Sequence, residues 1–252
     1  MCKVLLVGNP NVGKSTLFNS LTKSNEHTGN FHGVTVNEKS KTIKLNNATF
    51  NVVDLPGIYS LNTFSDEEDV TKSYILNSKK DTLLVVADCN SLKKNLYLCM
   101  QLNELGINYK LLLNNYKSYL KSGNKINLNK LKQNLGVDVE IINAKNIKPT
   151  LSLLKNNKKN TNDCNYLNSY LTTLKSRTNL SANELILAIN GVVNNLTKQQ
   201  IDEVKKFMPS IIEERYKHIN NLIEDCVSLQ KNFIYGYSKL DNFILNPTLP
   251  YK

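Results

Sequence analysis

Short apolar runs alternate with amphipathic stretches over the first 155 or so residues. β-rich runs at 3–7, 34–45, 49–55, 82–88, 109–114 and 139–143 predict strands. Between them, 14–23, 66–77, 92–105 and 128–135 have the periodicity of helices. Strand–helix alternation of this kind predicts an α/β fold, a mostly parallel sheet covered by helices on both faces. The segment 155–163 (KNNKKNTND) is polar, charged and aperiodic, and reads as a linker. Beyond it the pattern turns wholly helical. Ser181-Ala182-Asn183-Glu184 is a capping box, followed by Leu185, Ile189, Val192, Val193 and Leu196 on one expected helical face. Thr197-x-x-Gln200 reads as a second cap. Past Pro209, the spacing of Ile212, Tyr216, Ile219, Ile223 and Cys226 predicts one long amphipathic helix. The expected organisation is an α/β domain over 1–160 and a small all-α domain over 161–252.

Composition and charge narrow the class. No apolar run reaches the roughly 18–20 residues that span a bilayer, and Lys3-Val4-Leu5-Leu6-Val7 runs into a glycine-rich turn without a cleavage site, unlike a signal peptide. These features predict a soluble, intracellular chain. The five cysteines are odd in number, scattered and without a C-x-x-C pair, which argues for reduced thiols acting as small buried hydrophobes. Net charge is +11, but residues 109–164 alone carry 11 basic and 3 acidic side chains. That Lys/Asn-rich stretch has no arginine and no aromatic interleaving of the kind that stacks bases, so nucleic acid is not the expected partner. A solvated basic face and attraction to an anionic membrane surface both fit it.

Chemistry concentrates near the N-terminus. Gly8-Asn9-Pro10-Asn11-Val12-Gly13-Lys14-Ser15, followed by Thr16, fits G-x-x-x-x-G-K-[ST] between an apolar strand and a helix. Backbone N–H groups of such a loop converge on phosphate oxygens, and the helix N-terminus adds partial positive charge. Lys14 is expected to reach the outer phosphates and Ser15 to hold Mg²⁺. Asp54-Leu55-Pro56-Gly57 ends a later strand, where the aspartate suits the Mg²⁺ shell and the Gly57 N–H a γ-phosphate. Thr35, in Gly33-Val34-Thr35, is placed to be a second hydroxyl ligand of Mg²⁺. The predicted fold is a P-loop GTPase (Ras-like) domain with the helical domain behind it.

These residues resemble one family, the N-terminal GTPase domain of ferrous iron transport protein B. The P-loop with Leu17-Phe18-Asn19, Gly29-Asn30-Phe31-His32-Gly33-Val34-Thr35-Val36 as first switch, and Asp54–Leu61 with Ser65 and Glu68 as second switch carry the resemblance. Asn95-Leu96-Tyr97-Leu98, Gln101-Leu102 and Glu104-Leu105-Gly106 extend it, densely over 3–106 and sparsely to about 145. In the helical part Arg215-Tyr216 and Ser238-Lys239-Leu240-Asp241 match. The resemblance implies GTP as substrate, a helical domain that slows nucleotide dissociation, and a following membrane domain, just before which 240–247 would lie. It implies a place on the cytoplasmic face of the membrane and leaves a homo-oligomer open. It also implies K⁺ stimulation, with the Asn11 side chain helping to hold the ion; an Asx-type bond that merely stabilises the loop is the other reading of Asn11. Ile58 stands where small GTPases place a water-orienting glutamine.

One motif departs from the family. Its guanine-reading N-x-x-D is Asn114-Asn115-Tyr116-Lys117 here, and Lys117 offers only donors where the aspartate would accept two hydrogen bonds. Weakened guanine selectivity is the expectation. Asn143-Ala144-Lys145 follows the last strand, and Asn143 either contacts the base or caps the strand. Asn124-Lys125-Ile126-Asn127 is read as a chance near-match to the same motif. His27, His32 and His218 are scattered and suggest no iron site. The functions compared are a GTPase gating or driving Fe²⁺ import, a nucleotide-responsive binding module with negligible turnover, and a ribosome-associated GTPase.

Overall fold

The computed structural model of the protein describes residues 2–23, 39–155, 160 and 164–229. Strand β1 (Cys2–Val7) leads into α1 (Lys14–Thr22); the hairpin β2 (Lys39–Leu45) and β3 (Ala48–Asp54) precedes α2 (Asp66–Leu76). Next come β4 (Thr82–Asp88), α3 (Leu92–Glu104), β5 (Lys110–Asn114), α4 (Tyr116–Lys121), β6 (Asn124–Ile126), α5 (Leu128–Leu135), β7 (Asp138–Ile141) and α6 (Leu151–Leu154). Six strands form one sheet in the order β2-β3-β1-β4-β5-β7, parallel except for β2. Asn46 and Asn47 turn the hairpin with φ 47 and 61, the left-handed pair whose twist matches the strands it joins.

β1 shows why the central strands read as unbroken apolar runs. Leu5 and Val7 enter a core shared with α3 and α5, while Val4 and Leu6 enter a second core with Leu17, Phe18 and Leu21 of α1. Both faces of a parallel sheet are covered, so no position needs to be polar. Where covering ends the pattern weakens, as in β2, whose lysines are partly or fully exposed.

The C-terminal elements are α7 (Asn168–Thr178), α8 (Ala182–Ile189), α9 (Lys198–Cys226) and the short strand β8 (Val227–Leu229). Leu167, Leu174, Leu180, Leu185, Ile189, Val204 and Ile211 build a core of their own. Both predicted capping boxes are present, at Ser181/Glu184 and Thr197/Gln200. Three expectations need correction. The helix after Ser181 stops at Ile189, because Asn190 caps it and Gly191 turns the chain at φ 75, so Val192, Val193 and Leu196 leave its face. The long helix begins at Lys198 and runs through Pro209, burying Ile211, Arg215, Ile219, Leu222 and Cys226 while Ile212 and Tyr216 are exposed. Nor is the C-terminal part wholly helical: β8 pairs antiparallel with β6, the strand made by the Asn124-Lys125-Ile126 near-match. Of the 155–163 linker, Asn160 is anchored by hydrogen bonds to Asn103, Asn108 and the Ile107 carbonyl. No disulfide joins the five cysteines, and Cys89, Cys99 and Cys226 are buried.

Candidate nucleotide site

The Gly8–Thr16 loop leaves the carboxyl end of β1, beside the strand ends of β3, β4 and β5 that the parallel order brings together. Ligands in open α/β sheets bind at such an edge. Gly8, Asn11 and Gly13 adopt φ 144, 64 and 101, conformations that curl the backbone around Lys14. The Lys14 Nζ donates to the carbonyls of Gly8 and Asn9 at 3.0 and 2.9 Å. Burial pushes its pKa down to about 8, partly opposed by the Asp54 carboxylate. Asn9 is buried and donates to the Lys94 carbonyl, whereas Asn11 is exposed.

Asp54 ends β3 within reach of α1. Burial raises its pKa, opposed first by a hydrogen bond from the Ser15 hydroxyl and then by the Lys14 and Lys39 charges. Its Oδ1 is buried without a hydrogen-bond partner. An orphaned carboxylate oxygen beside a hydroxyl is a donor set suited to a hard divalent cation, so Asp54 and Ser15 fit Mg²⁺. Leu55 then donates to the Leu6 carbonyl, and Ile58 to that of Gly8. Gly57 packs so tightly on the loop that a Cβ there would lie 2.7–2.9 Å from Pro10 atoms. Ile58 is fully buried in the core, away from any water-orienting role. Gly33, Val34 and Thr35 lie outside the described residues, as do residues 34–38 of the expected strand, His27, His32 and residues 230–252.

Of the residues expected to read the base, the structure brings Asn114 and Ala144 to the loop. The Asn114 Nδ2 donates to the Val12 carbonyl at 3.0 Å, and its Oδ1 accepts from the Ala144 N–H at 3.2 Å. The Ser20 hydroxyl donates to the Ala144 carbonyl, tying α1 to the same segment. Asn143 lies past the end of β7, where its side chain accepts from the Lys145 N–H. Asn115, at φ 61, precedes α4 and donates to Asp88. Lys117 is exposed in the first turn of α4. Asp88 pairs with Asn114 in the β4–β5 register, and its only signal in the sequence is an acidic residue closing an apolar strand.

A phosphate-type loop at the end of a central parallel strand, with its lysine buried against the aspartate of the neighbouring strand, defines a P-loop GTPase fold. The sequence profile of Ferrous iron transport protein B matches residues 2–157, and the chain belongs to that family. It is 48% identical over 104 residues to the Fe(2+) transporter FeoB of Methanocaldococcus jannaschii, covering 41% of this chain and 16% of that protein. Against the Fe(2+) transporter FeoB of Leptospira biflexa, identity is 32% over 281 residues, covering 98% of this chain and 41% of that protein. The chain thus spans less than half the length of these two relatives. The crystal structure of S. thermophilus NFeoB bound to GDP.AlF4- and K+ matches with TM-score 0.67 and 29% identity, covering 89% of this chain and all of that one. Among the described residues, no helix is long and apolar enough to cross a membrane.

Proposed function

We propose that the chain binds GTP with Mg²⁺, hydrolyses it slowly to GDP and phosphate, and thereby gates or drives Fe²⁺ import through a membrane domain of the same polypeptide. On this reading 1–160 is the GTPase domain, and 161–252 is a helical domain that slows nucleotide release, at the cytoplasmic face of the membrane. The observation that carries it is the buried, unpartnered Oδ1 of Asp54, a carboxylate that accepts a hydrogen bond from Ser15 and interacts with the Lys14 charge. Ser15, Thr35 and Asp54 would hold Mg²⁺, which supplies charge to the phosphates when bound. Backbone N–H groups of 9–15 would cradle those phosphates, with Lys14 as counter-charge. Thr35 and the Gly57 N–H would sense the γ-phosphate, ordering residues 25–37 and 57–70 until hydrolysis releases them.

Because Ile58 is buried, no side chain at that position orients water, and rate enhancement falls to positioning and charge. Asn11, exposed on the loop, is our candidate for holding K⁺, the ion bound by the S. thermophilus relative. The test is phosphate release from GTP in K⁺ and in Na⁺. Faster release in K⁺, lost in Asn11→Ala, supports the reading. Calorimetry showing no binding of GDP or GTP with Mg²⁺ refutes it. Lys117 favours a second reading, a nucleotide-responsive module with negligible hydrolysis: binding without turnover in either salt would select it.

A further inference from the structure

Lys117, Leu120, Lys121 and Lys125 lie on the surface formed by α4 and β6. Lys117 and Lys121 are one helical turn apart and share a face. All three lysines are exposed, and Leu120 sits among them 45% exposed. Residues 115–137 contain five lysines and no aspartate or glutamate, so nothing acidic within the segment offsets them. Among the described residues, Lys130 is the one of the five paired with an acid from elsewhere, Asp225. β6 pairs with β8, Lys125 opposite Ser228 and Asn124 opposite Leu229, so the chain leaves the described fold at this same edge. The residues that follow, 230–252, hold five aromatic side chains and a single acidic one.

We propose that the α4–β6 face docks on the anionic headgroups of a lipid bilayer, with Leu120 reaching the interface between the lysines. The inference rests on the membrane-attached reading above. Lysines within a Debye length of an anionic leaflet are drawn to it, and basic residues beside a membrane-directed segment favour the cytoplasmic side. Nucleic acid is the weaker match, since the chain has two arginines and Arg215 is buried, while Tyr119 of this face points into the core. Docking here would hold the start of α4, and with it the base side of the nucleotide site, next to the bilayer.

The test is co-sedimentation of the 252-residue chain with phosphatidylcholine vesicles, with and without phosphatidylglycerol, at low and high salt. We expect binding to the anionic vesicles alone, weakened by salt, and reduced about 30-fold by Lys121→Gln with Lys125→Gln. Leu120→Ser should weaken it by a smaller factor, and circular dichroism checks that these surface variants fold. Equal binding to both vesicle types overturns the proposal, as does a double variant that binds like the parent or an RNA oligonucleotide that displaces the chain from vesicles. Vesicle binding without nucleotide binding supports docking and refutes the nucleotide reading; nucleotide binding without vesicle binding does the reverse.

Discussion

Lys117 occupies the first turn of α4, where the helix dipole presents partial positive charge and an acidic side chain would be favoured. The same position should carry the carboxylate that accepts from guanine N1–H and its 2-amino group. Lys117→Asp therefore restores two interactions at once. We expect tighter GTP binding by about 2–4 kcal/mol, or roughly 30- to 1,000-fold, the worth of a charge-assisted bidentate contact. ATP affinity should not change, because adenine offers an acceptor at N1 and lacks the 2-amino donor. Calorimetric titration of both nucleotides decides it: equal losses for the two would mean that position 117 acts through phosphate charge, and equal gains that it acts on the loop and not on the guanine edge. Lys14 supplies a pH test. Its pKa in the folded protein is lowered to about 8 from 10.5, so between those values the unfolded chain holds the proton and the folded one does not. Stability from this group therefore rises with pH through that window, and its burial penalty is fully present below about pH 8. Polyphosphate binding favours the charged amine, so affinity should run the other way. It should be flat below pH 8 and fall by up to about tenfold per pH unit above it. Lys14→Arg, which stays charged, should abolish that fall even if its affinity is lower.

At the scale of elements, the legible parts are those where one constraint dominates. β4 and β5 are buried at nearly every position, and their bounds follow from the apolar runs 82–88 and 109–114 with at most one residue of error. The caps at Ser181 and Thr197 declare themselves through side chains that bond their own backbone. After Ser181 the apolar spacing continues into Val192 and Val193 and predicts a longer helix, whereas the termination depends on Gly191. A Cβ there would meet the Leu61 carbonyl and the Lys72 Nζ at 3.0 Å, contacts made by residues far away in sequence. β6, β8 and α4 are too short to carry a period. The buried face of α9 departs from its apolar spacing for another reason: Arg215, a charged residue, fills a core position. Its guanidinium pairs with Glu104 through bonds of 2.8 and 2.6 Å, and Tyr97, Tyr166 and Asn190 complete the network. Removing one partner from a buried pair leaves the other uncompensated. Arg215→Leu should destabilise by about 3–5 kcal/mol, and adding Glu104→Leu should recover a large part of that. Urea unfolding of the single and double variants measures it; an additive loss would show that the two charges are not coupled.

For the whole molecule, the question is how far the helical segment can be separated from the sheet. Leu167 to Ile211 form their own core, but Ile219, Leu222 and Cys226 of α9 belong to the core of β1, β4, β5, α3 and α5. The same helix therefore closes both. The turn after α8 also reaches the segment that follows Gly57. Lys72 donates to the Gly191 carbonyl at 2.6 Å, Asn62 donates to that of Ile189, and Gln101 binds both Leu61 and Asn62. A chain ending at residue 163 would lose three buried apolar side chains from the sheet's core, about 5–9 kcal/mol at the usual value per side chain. That is comparable with the 5–15 kcal/mol total stability of an ordinary domain, so the truncated chain should unfold at much lower urea. Any fraction that remains folded should release GDP faster, because residues 61–72 lose the contacts that hold them beside the loop. A chain ending at 163 that matched the parent in both urea midpoint and GDP release would show that α9 is an appendage. The Ile219→Ala and Lys72→Met substitutions in the full chain separate the two effects. The first should lower stability by about 2–5 kcal/mol with little change in release. The second should speed release while leaving the core intact.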